Sequence, residues 1–125
     1  MARVVMALPS ENLVATVEAF CQAATTHAEA TNSGEYKTAN RAYANLVAAL
    51  KCLEAHESTH LLRPLLHSAM IGPKLWSATY FLSRGETKAV DILNQLATRK
   101  DILGFSAQMT LREWQAGRLT FHFPA

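Results

Sequence analysis

The sequence feature that most constrains the fold is an amphipathic stripe in the first half of the chain. Its apolar positions step by threes and fours, which is the spacing of one helix face: Tyr36, Ala39, Tyr43, Leu46, Val47, Leu50 and Leu53. A second stripe of the same spacing precedes it: Leu13, Val14, Val17, Phe20, Cys21 and Ala24. Only the turn-forming stretch Asn32-Ser33-Gly34 separates the two stripes, and so short a turn predicts an antiparallel helical hairpin.

Four further helices are predicted after this hairpin. Start and stop signals and apolar spacing place the six helices at about residues 10–31, 35–55, 58–67, 72–84, 86–98 and 104–116. Ser10 is the expected N-cap of the first, and Pro73 is expected in the first turn of the fourth. Residues 119–123 alternate apolar and polar and are expected to be a tail on the last helices. Five glycines and four prolines in 125 residues favour few, long elements in one domain spanning 1–125.

A weak internal repeat lies in the second half of the chain. Residues 77–82 (SATYFL) echo residues 106–111 (SAQMTL), 29 positions later. Each copy falls in the second helix of a predicted pair. A helix pair cannot bury its apolar face alone, so stacked pairs, as in an α-solenoid, are the expected arrangement.

The chain also resembles a bacterial family of small proteins that is defined only as a domain of unknown function. The resemblance rests on residues 37–43 (KTANRAY), 65–67 (LLH), 75–79 (LWSAT), 103–114 (LGFSAQMTLREW) and 117–119 (GRL). It implies an all-α fold, an α-α superhelix of the HEAT/armadillo type with about six antiparallel helices. It implies no established activity and therefore no catalytic residue.

Composition is that of an ordinary globular protein, with 50% hydrophobic residues and a net charge of +2. Residues 63–125 contain eight basic side chains against four acidic ones, well short of the balance of a dedicated nucleic-acid binder. No signal peptide or membrane-spanning segment is recognisable, so a cytoplasmic location without membrane contact is expected. The two cysteines, Cys21 and Cys52, lie in apolar helical patterns, which predicts buried, inert thiols in a reducing compartment.

One short motif has the spacing of a metal site. Residues 56–60 spell H-E-x-x-H, which on a helix presents two imidazoles on one face beside a general base, with Glu86 or Asp91 as a conceivable third ligand. The motif falls at the junction of two predicted helices, where turn histidines are the simpler interpretation. The prediction is therefore a protein that is not an enzyme and has no metal site or cofactor, with a metal hydrolase as the remote alternative.

Nucleic-acid binding is the second alternative. HEAT-like solenoids can bind a duplex backbone along a concave basic face, and the second half supplies the charges: Arg63, Lys74, Arg84, Lys88, Arg99, Lys100, Arg112 and Arg118. By helical phase these residues are spread over several faces and turns. A solvated surface is therefore favoured over a phosphate-binding one.

A protein partner is the favoured expectation, with the partner on a face formed by the second helix of each pair. The candidate contact residues are Arg41, Trp76, Tyr80 and Arg112, because Trp, Tyr and Arg dominate interface hot spots. Trp76 and Tyr80 are expected near the surface, whereas Tyr43 and Trp114 are assigned to the core. An adaptor or a toxin-neutralising protein fits this class by analogy. The sequence specifies neither the partner nor the oligomeric state.

Overall fold

The computed structural model describes the chain from residue 9 to residue 120, and its side chains from residue 13. The described chain is helical and contains no strand, which confirms the all-α prediction. Its elements are α1 (Pro9–Ser33), α2 (Tyr36–Ala55), a 3-10 helix (Thr59–His67), α3 (Ile71–Ser83), α4 (Ala89–Leu96) and α5 (Ile102–Gln115). None of the described helices is long and apolar enough to cross a bilayer.

The predicted hairpin of the first two helices is present. Gly34 ends α1 with a positive φ of 80°, a conformation that glycine adopts without strain. The amide of Glu35 donates to the carbonyl of Ala30 over 2.8 Å, which reverses the chain directly into α2. Further along, Thr16 Oγ1 lies 3.7 Å from Cys52 Sγ, so the two helices stay side by side and antiparallel.

Helix α3 lies at the centre of the fold. Nine of its thirteen residues are buried, and it contacts α1, the 3-10 helix, α4 and α5. Gly72 allows the close approach to α1, because a Cβ there would lie only 2.4 Å from the carbonyl oxygen of Ala24. The core around α3 includes Phe20, Leu46, Leu50, Leu53, Leu62, Leu82 and Leu93, each almost fully buried.

The repeat of the second half occupies matching core positions. Ala78 in α3 and Ala107 in α5, which are 29 residues apart, are both fully buried. Leu82 and Leu111, at the same offset, are buried as well. The two copies thus present the same side chains to one continuous core, with α4 in contact with both helices.

Several element boundaries differ from the predicted ones. Helix α1 already begins at Pro9, and α3 begins at Ile71, ahead of the expected Gly72-Pro73 start. The third predicted helix is a 3-10 helix, Thr59–His67, with Pro64 inside it. Helix α5 begins at Ile102 because Asp101 is its N-cap, whose carboxylate accepts from the Gly104 amide.

Three expected inward positions of the hairpin are open to solvent. Val14 is 58% exposed, Tyr36 71% and Tyr43 38%, so their assignment to an inner face or the core is wrong. Val14 and Tyr36 lie on parts of the hairpin that no other described helix covers. Tyr43 is partly covered by Trp76 of α3, whose ring centroid lies 5.6 Å from its own. Trp114 does pack against the core, as does Leu119 of the tail, whereas residues 121–123 lie outside the described part.

Candidate functional site

An open groove of about 600 Å³ runs along the outer face of the hairpin. All of its lining residues belong to α1 and α2, and it faces away from α3, which packs on the Ala24 side of α1. Six of the thirteen lining residues are alanines: Ala15, Ala19, Ala23, Ala42, Ala48 and Ala49. Small side chains at an open face allow another backbone to approach closely.

Polar side chains line the same groove between the alanines. Gln22 and Thr26 project from α1, and Asn45 and Arg41 from α2. Amide and hydroxyl groups can donate and accept hydrogen bonds, and a guanidinium can bind a carboxylate in a bidentate manner. The groove therefore combines an apolar floor with a few directional groups, the composition of a recognition surface.

The two helices that flank the groove carry opposite charges. Between residues 13 and 33, α1 has two carboxylates, Glu18 and Glu29, and no lysine or arginine. Between residues 36 and 53, α2 has Lys37, Arg41 and Lys51 and no carboxylate. All five side chains are exposed. The groove is thus flanked by an acidic helix and a basic helix, and of these five side chains Arg41 is the one that lines it.

Of the four predicted contact residues, Arg41 lies in this groove and is exposed. Trp76 lies on the other face of the hairpin, in a cluster where three helices meet. Its ring centroid is 5.2 Å from that of His27 in an edge-to-face arrangement and 5.6 Å from that of Tyr43. Burial lowers the pKa of His27, which favours the neutral ring in this cluster. The cluster ties α1, α2 and α3 together.

Tyr80 is only 3% exposed, so the expectation that it lies near the surface is wrong. Its hydroxyl donates to Glu54 Oε2 over 2.6 Å, and the Arg84 guanidinium lies over its ring, 5.1 Å from the centroid. Burial raises the pKa of Tyr80, and the hydrogen bond to Glu54 raises it further. The phenol is a structural link between α2 and α3 and is not available as a contact residue.

Arg112 is exposed on α5 and lies outside the groove. The structure therefore does not bring Arg41, Trp76, Tyr80 and Arg112 into one surface. The expected face of second helices is interrupted because α3 is mostly buried by its neighbours, with nine of its thirteen residues inside.

The H-E-x-x-H residues do not share one helix. His56 is the C-cap of α2, Glu57 has a positive φ of 53°, and His60 lies in the following 3-10 helix. The imidazole Nδ1 of His56 donates to the backbone carbonyl of Cys52 over 2.8 Å. Among the described residues, no group of three or more His, Cys, Asp or Glu side chains is placed to hold a metal ion.

Both cysteines are free thiols and half buried, whereas the sequence predicted buried thiols. Burial raises the pKa of Cys21, and the Glu18 carboxylate adds to the effect. Cys52 lines the groove, with its sulfur 3.9 Å from His56 Nδ1. Cys52 is partly exposed because it lies on the side of α2 that faces the open groove.

Four of the eight basic side chains considered for nucleic-acid binding form ion pairs within the chain. Arg63 pairs with Glu86, Arg84 with Glu54, Arg99 with Asp101 and Arg118 with Glu113. Each guanidinium already has a carboxylate partner that a phosphate would have to displace. This arrangement favours a solvated surface.

The groove was not recognised in the sequence, although a signal for it exists. Ala15, Ala19 and Ala23 recur every four residues on α1, as do Ala42, Asn45 and Ala49 every three or four on α2. Such a small-residue row can equally lie against another helix of the same chain. Only the position of α3 on the opposite side shows that the row is open.

Comparison of the chain with known protein families, with curated proteins and with solved structures finds no match.

Proposed function

We propose that this protein is a non-enzymatic protein–protein interaction module that binds a helix of its partner in the α1–α2 groove. The observation that carries the proposal is the open groove itself, with its alanine floor and its polar groups from Gln22, Asn45 and Arg41. A groove between two helices with a polar rim is a common means of holding a third helix.

The dimensions of the groove suit a helical ligand. From Ala15 to Thr26 the lining covers eleven residue steps of α1, which is about 17 Å or three helical turns. Helices that meet through small side chains pack with their axes about 8 Å apart. A partner helix in the groove would therefore lie close to its alanine floor. Arg41 would select a partner that presents a carboxylate at one end of this contact.

The proposed location and role of the protein come from its sequence. We place the protein in the bacterial cytoplasm as an adaptor or toxin-neutralising protein, by analogy with small helical-repeat proteins. The matched core positions of Ala78 and Ala107 support a HEAT-like superhelix in the second half, with the hairpin as its presenting element.

A groove-filling substitution tests the proposal. Ala19→Trp places an indole on the alanine floor, whereas Ala44→Trp adds the same side chain to α2 outside the groove. Tagged full-length protein is incubated with cytosol of the host organism, and captured proteins are identified by mass spectrometry. We expect a protein captured by the wild type and by Ala44→Trp to be lost with Ala19→Trp.

Circular dichroism and thermal unfolding establish that both variants are folded. The purified captured protein is then titrated into each variant by calorimetry. Equal affinity for the wild type and for Ala19→Trp would contradict the proposal.

A further inference from the structure

The acidic and basic helices that flank the groove make it complementary to itself. Helix α1, on one side of the groove, carries the exposed carboxylates Glu18 and Glu29. Helix α2, on the other side, carries the exposed cations Lys37, Arg41 and Lys51, of which Arg41 lines the groove itself. We infer that the groove is occupied by the same hairpin of a second copy, so that two chains form a four-helix bundle. The inference rests on the proposed function, because it names the partner that the groove binds.

The register between α1 and α2 determines which residues of two facing hairpins lie at the same level. Thr16 lies beside Cys52, and the helices are antiparallel, so each step up α1 matches one step down α2. Glu29 is thirteen residues after Thr16 and is therefore level with position 39 of α2, between Lys37 and Arg41. The offset of two residues from Arg41 is about 3 Å along the axis, within the reach of both side chains.

Two ways of placing the hairpins face to face have two-fold symmetry. A two-fold axis parallel to the helices sets α1 of one chain against α2 of the other at the same height, which brings Glu29 to Arg41 twice. A two-fold axis across the helices sets α1 against α1, which brings carboxylates to carboxylates. Like charges across an interface are strongly disfavoured, so the first arrangement is selected.

Both charged groups are available for this contact. Among the described residues, the ion pairs involve neither Glu29 nor Arg41, and both side chains are exposed. The alanine floor supplies the close apolar contact, while exposed ion pairs at the edges add little affinity and determine orientation. The arrangement is thus a bundle with a small-residue centre and charged edges.

A charge exchange tests the inference in the full-length chain. Sedimentation equilibrium of the wild type is expected to give twice the chain mass of 13.7 kDa. The substitution Arg41→Glu sets a carboxylate against the carboxylate of Glu29 in both contacts. The substitution Glu29→Arg sets a guanidinium against the guanidinium of Arg41 in both contacts. Each variant alone is expected to dimerise at least about tenfold more weakly.

The two variants should restore each other. In an equimolar mixture, one chain carries glutamate at positions 29 and 41 and the other carries arginine at both, so each contact again joins opposite charges. A heterodimer is expected at wild-type affinity. The double variant Glu29→Arg/Arg41→Glu should regain a homodimer, while Arg112→Glu, which changes an exposed charge on α5, should leave dimerisation unchanged.

Alkylation of the Cys52 thiol measures dimerisation without any change of charge. Cys52 lines the groove, so its alkylation by a maleimide should slow as chain concentration rises through the dimer dissociation constant. The measurement uses Cys21→Ser protein, in which Cys52 is the only thiol. A labelling rate independent of concentration would overturn the inference.

These experiments distinguish the dimer from the binding of a different partner protein. A wild-type chain that is monomeric at about 100 μM, or variants that dimerise like the wild type, would overturn the inference. If such a monomer captures a protein that Ala19→Trp loses, the proposed function stands without the dimer. If the charge exchange behaves as expected and captured proteins are unaffected by Ala19→Trp, the dimer stands and the separate partner does not.

Discussion

The hydroxyl of Tyr80 donates a 2.6 Å hydrogen bond to Oε2 of Glu54, which joins the central helix α3 to the last turn of α2. Arg84 Nη2 lies 2.5 Å from the same carboxylate oxygen. Burial acts to raise the pKa of Glu54, but the hydrogen bonds from Tyr80 and Arg84 outweigh it, and the pKa is lowered. Ionised Glu54 therefore stabilises the folded state.

Glu54→Gln should reduce the free energy of unfolding at pH 7 by about 1–2 kcal/mol, because charge-assisted hydrogen bonds become neutral ones. Since the folded pKa is lowered, the stabilisation is present above the usual value of 4.5 and is lost as pH falls through the folded pKa. Urea denaturation from pH 7 to pH 3 measures the difference. Glu57→Gln serves as an exposed control. A difference that does not shrink at low pH would contradict this role of Glu54.

Gly72→Ala should destabilise the protein by about 1–3 kcal/mol, since the new methyl group would overlap the backbone of α1. The ideal Cβ position is 2.4 Å from the Ala24 carbonyl oxygen, and backbone cannot move aside cheaply. Thermal unfolding followed by circular dichroism measures the loss. Ala44→Ser, which adds one atom at an exposed helical position, is the matched control. Equal melting temperatures for the two variants would disprove the close approach of α1 and α3.

Protonation of His27 should change the fluorescence of Trp76. Burial lowers the pKa of His27 from its usual 6.5, so the folded state binds this proton less readily than the unfolded state. Stability should therefore fall as pH drops below about 6.5 and level off below the folded pKa. In a Trp114→Phe background, we expect a change in Trp76 emission with a midpoint below 6.5. A change that persists in His27→Gln would assign it to another group.

The carboxyl of Asp101 should titrate at a pKa of about 2. The hydrogen bond from Arg99 is the main cause, and the Gly104 amide at the start of α5 adds to it. NMR titration of side-chain carboxyl carbons measures this value directly. Arg99→Gln should raise it toward the usual 3.8, while Lys88→Gln should leave it unchanged. A pKa near 3.8 in the wild type would show that neither the hydrogen bond from Arg99 nor the cap is formed in solution.

Part of the candidate site is predictable from the amino-acid sequence. The spacing of Ala15, Ala19 and Ala23 is local information, and so is the segregation of charge between α1 and α2. Arg41, a predicted contact residue, is exposed and lines the groove. The prediction for Tyr80 is wrong because the elements packed against α3 cover it, and its partner Glu54 lies 26 residues away in the sequence.

The hairpin of α1 and α2 is predictable from local sequence patterns. Helical periodicity and a glycine that accepts a positive φ at position 34 act over a few residues, so they can be recognised without the rest of the chain. Which helix faces are covered depends on how the helices pack in three dimensions. Helix α3 is about half as long as α1 and packs on one side of the hairpin, which buries Tyr80 and leaves the alanine groove open. Burial is a property of distant chain segments brought together, and no local pattern contains it.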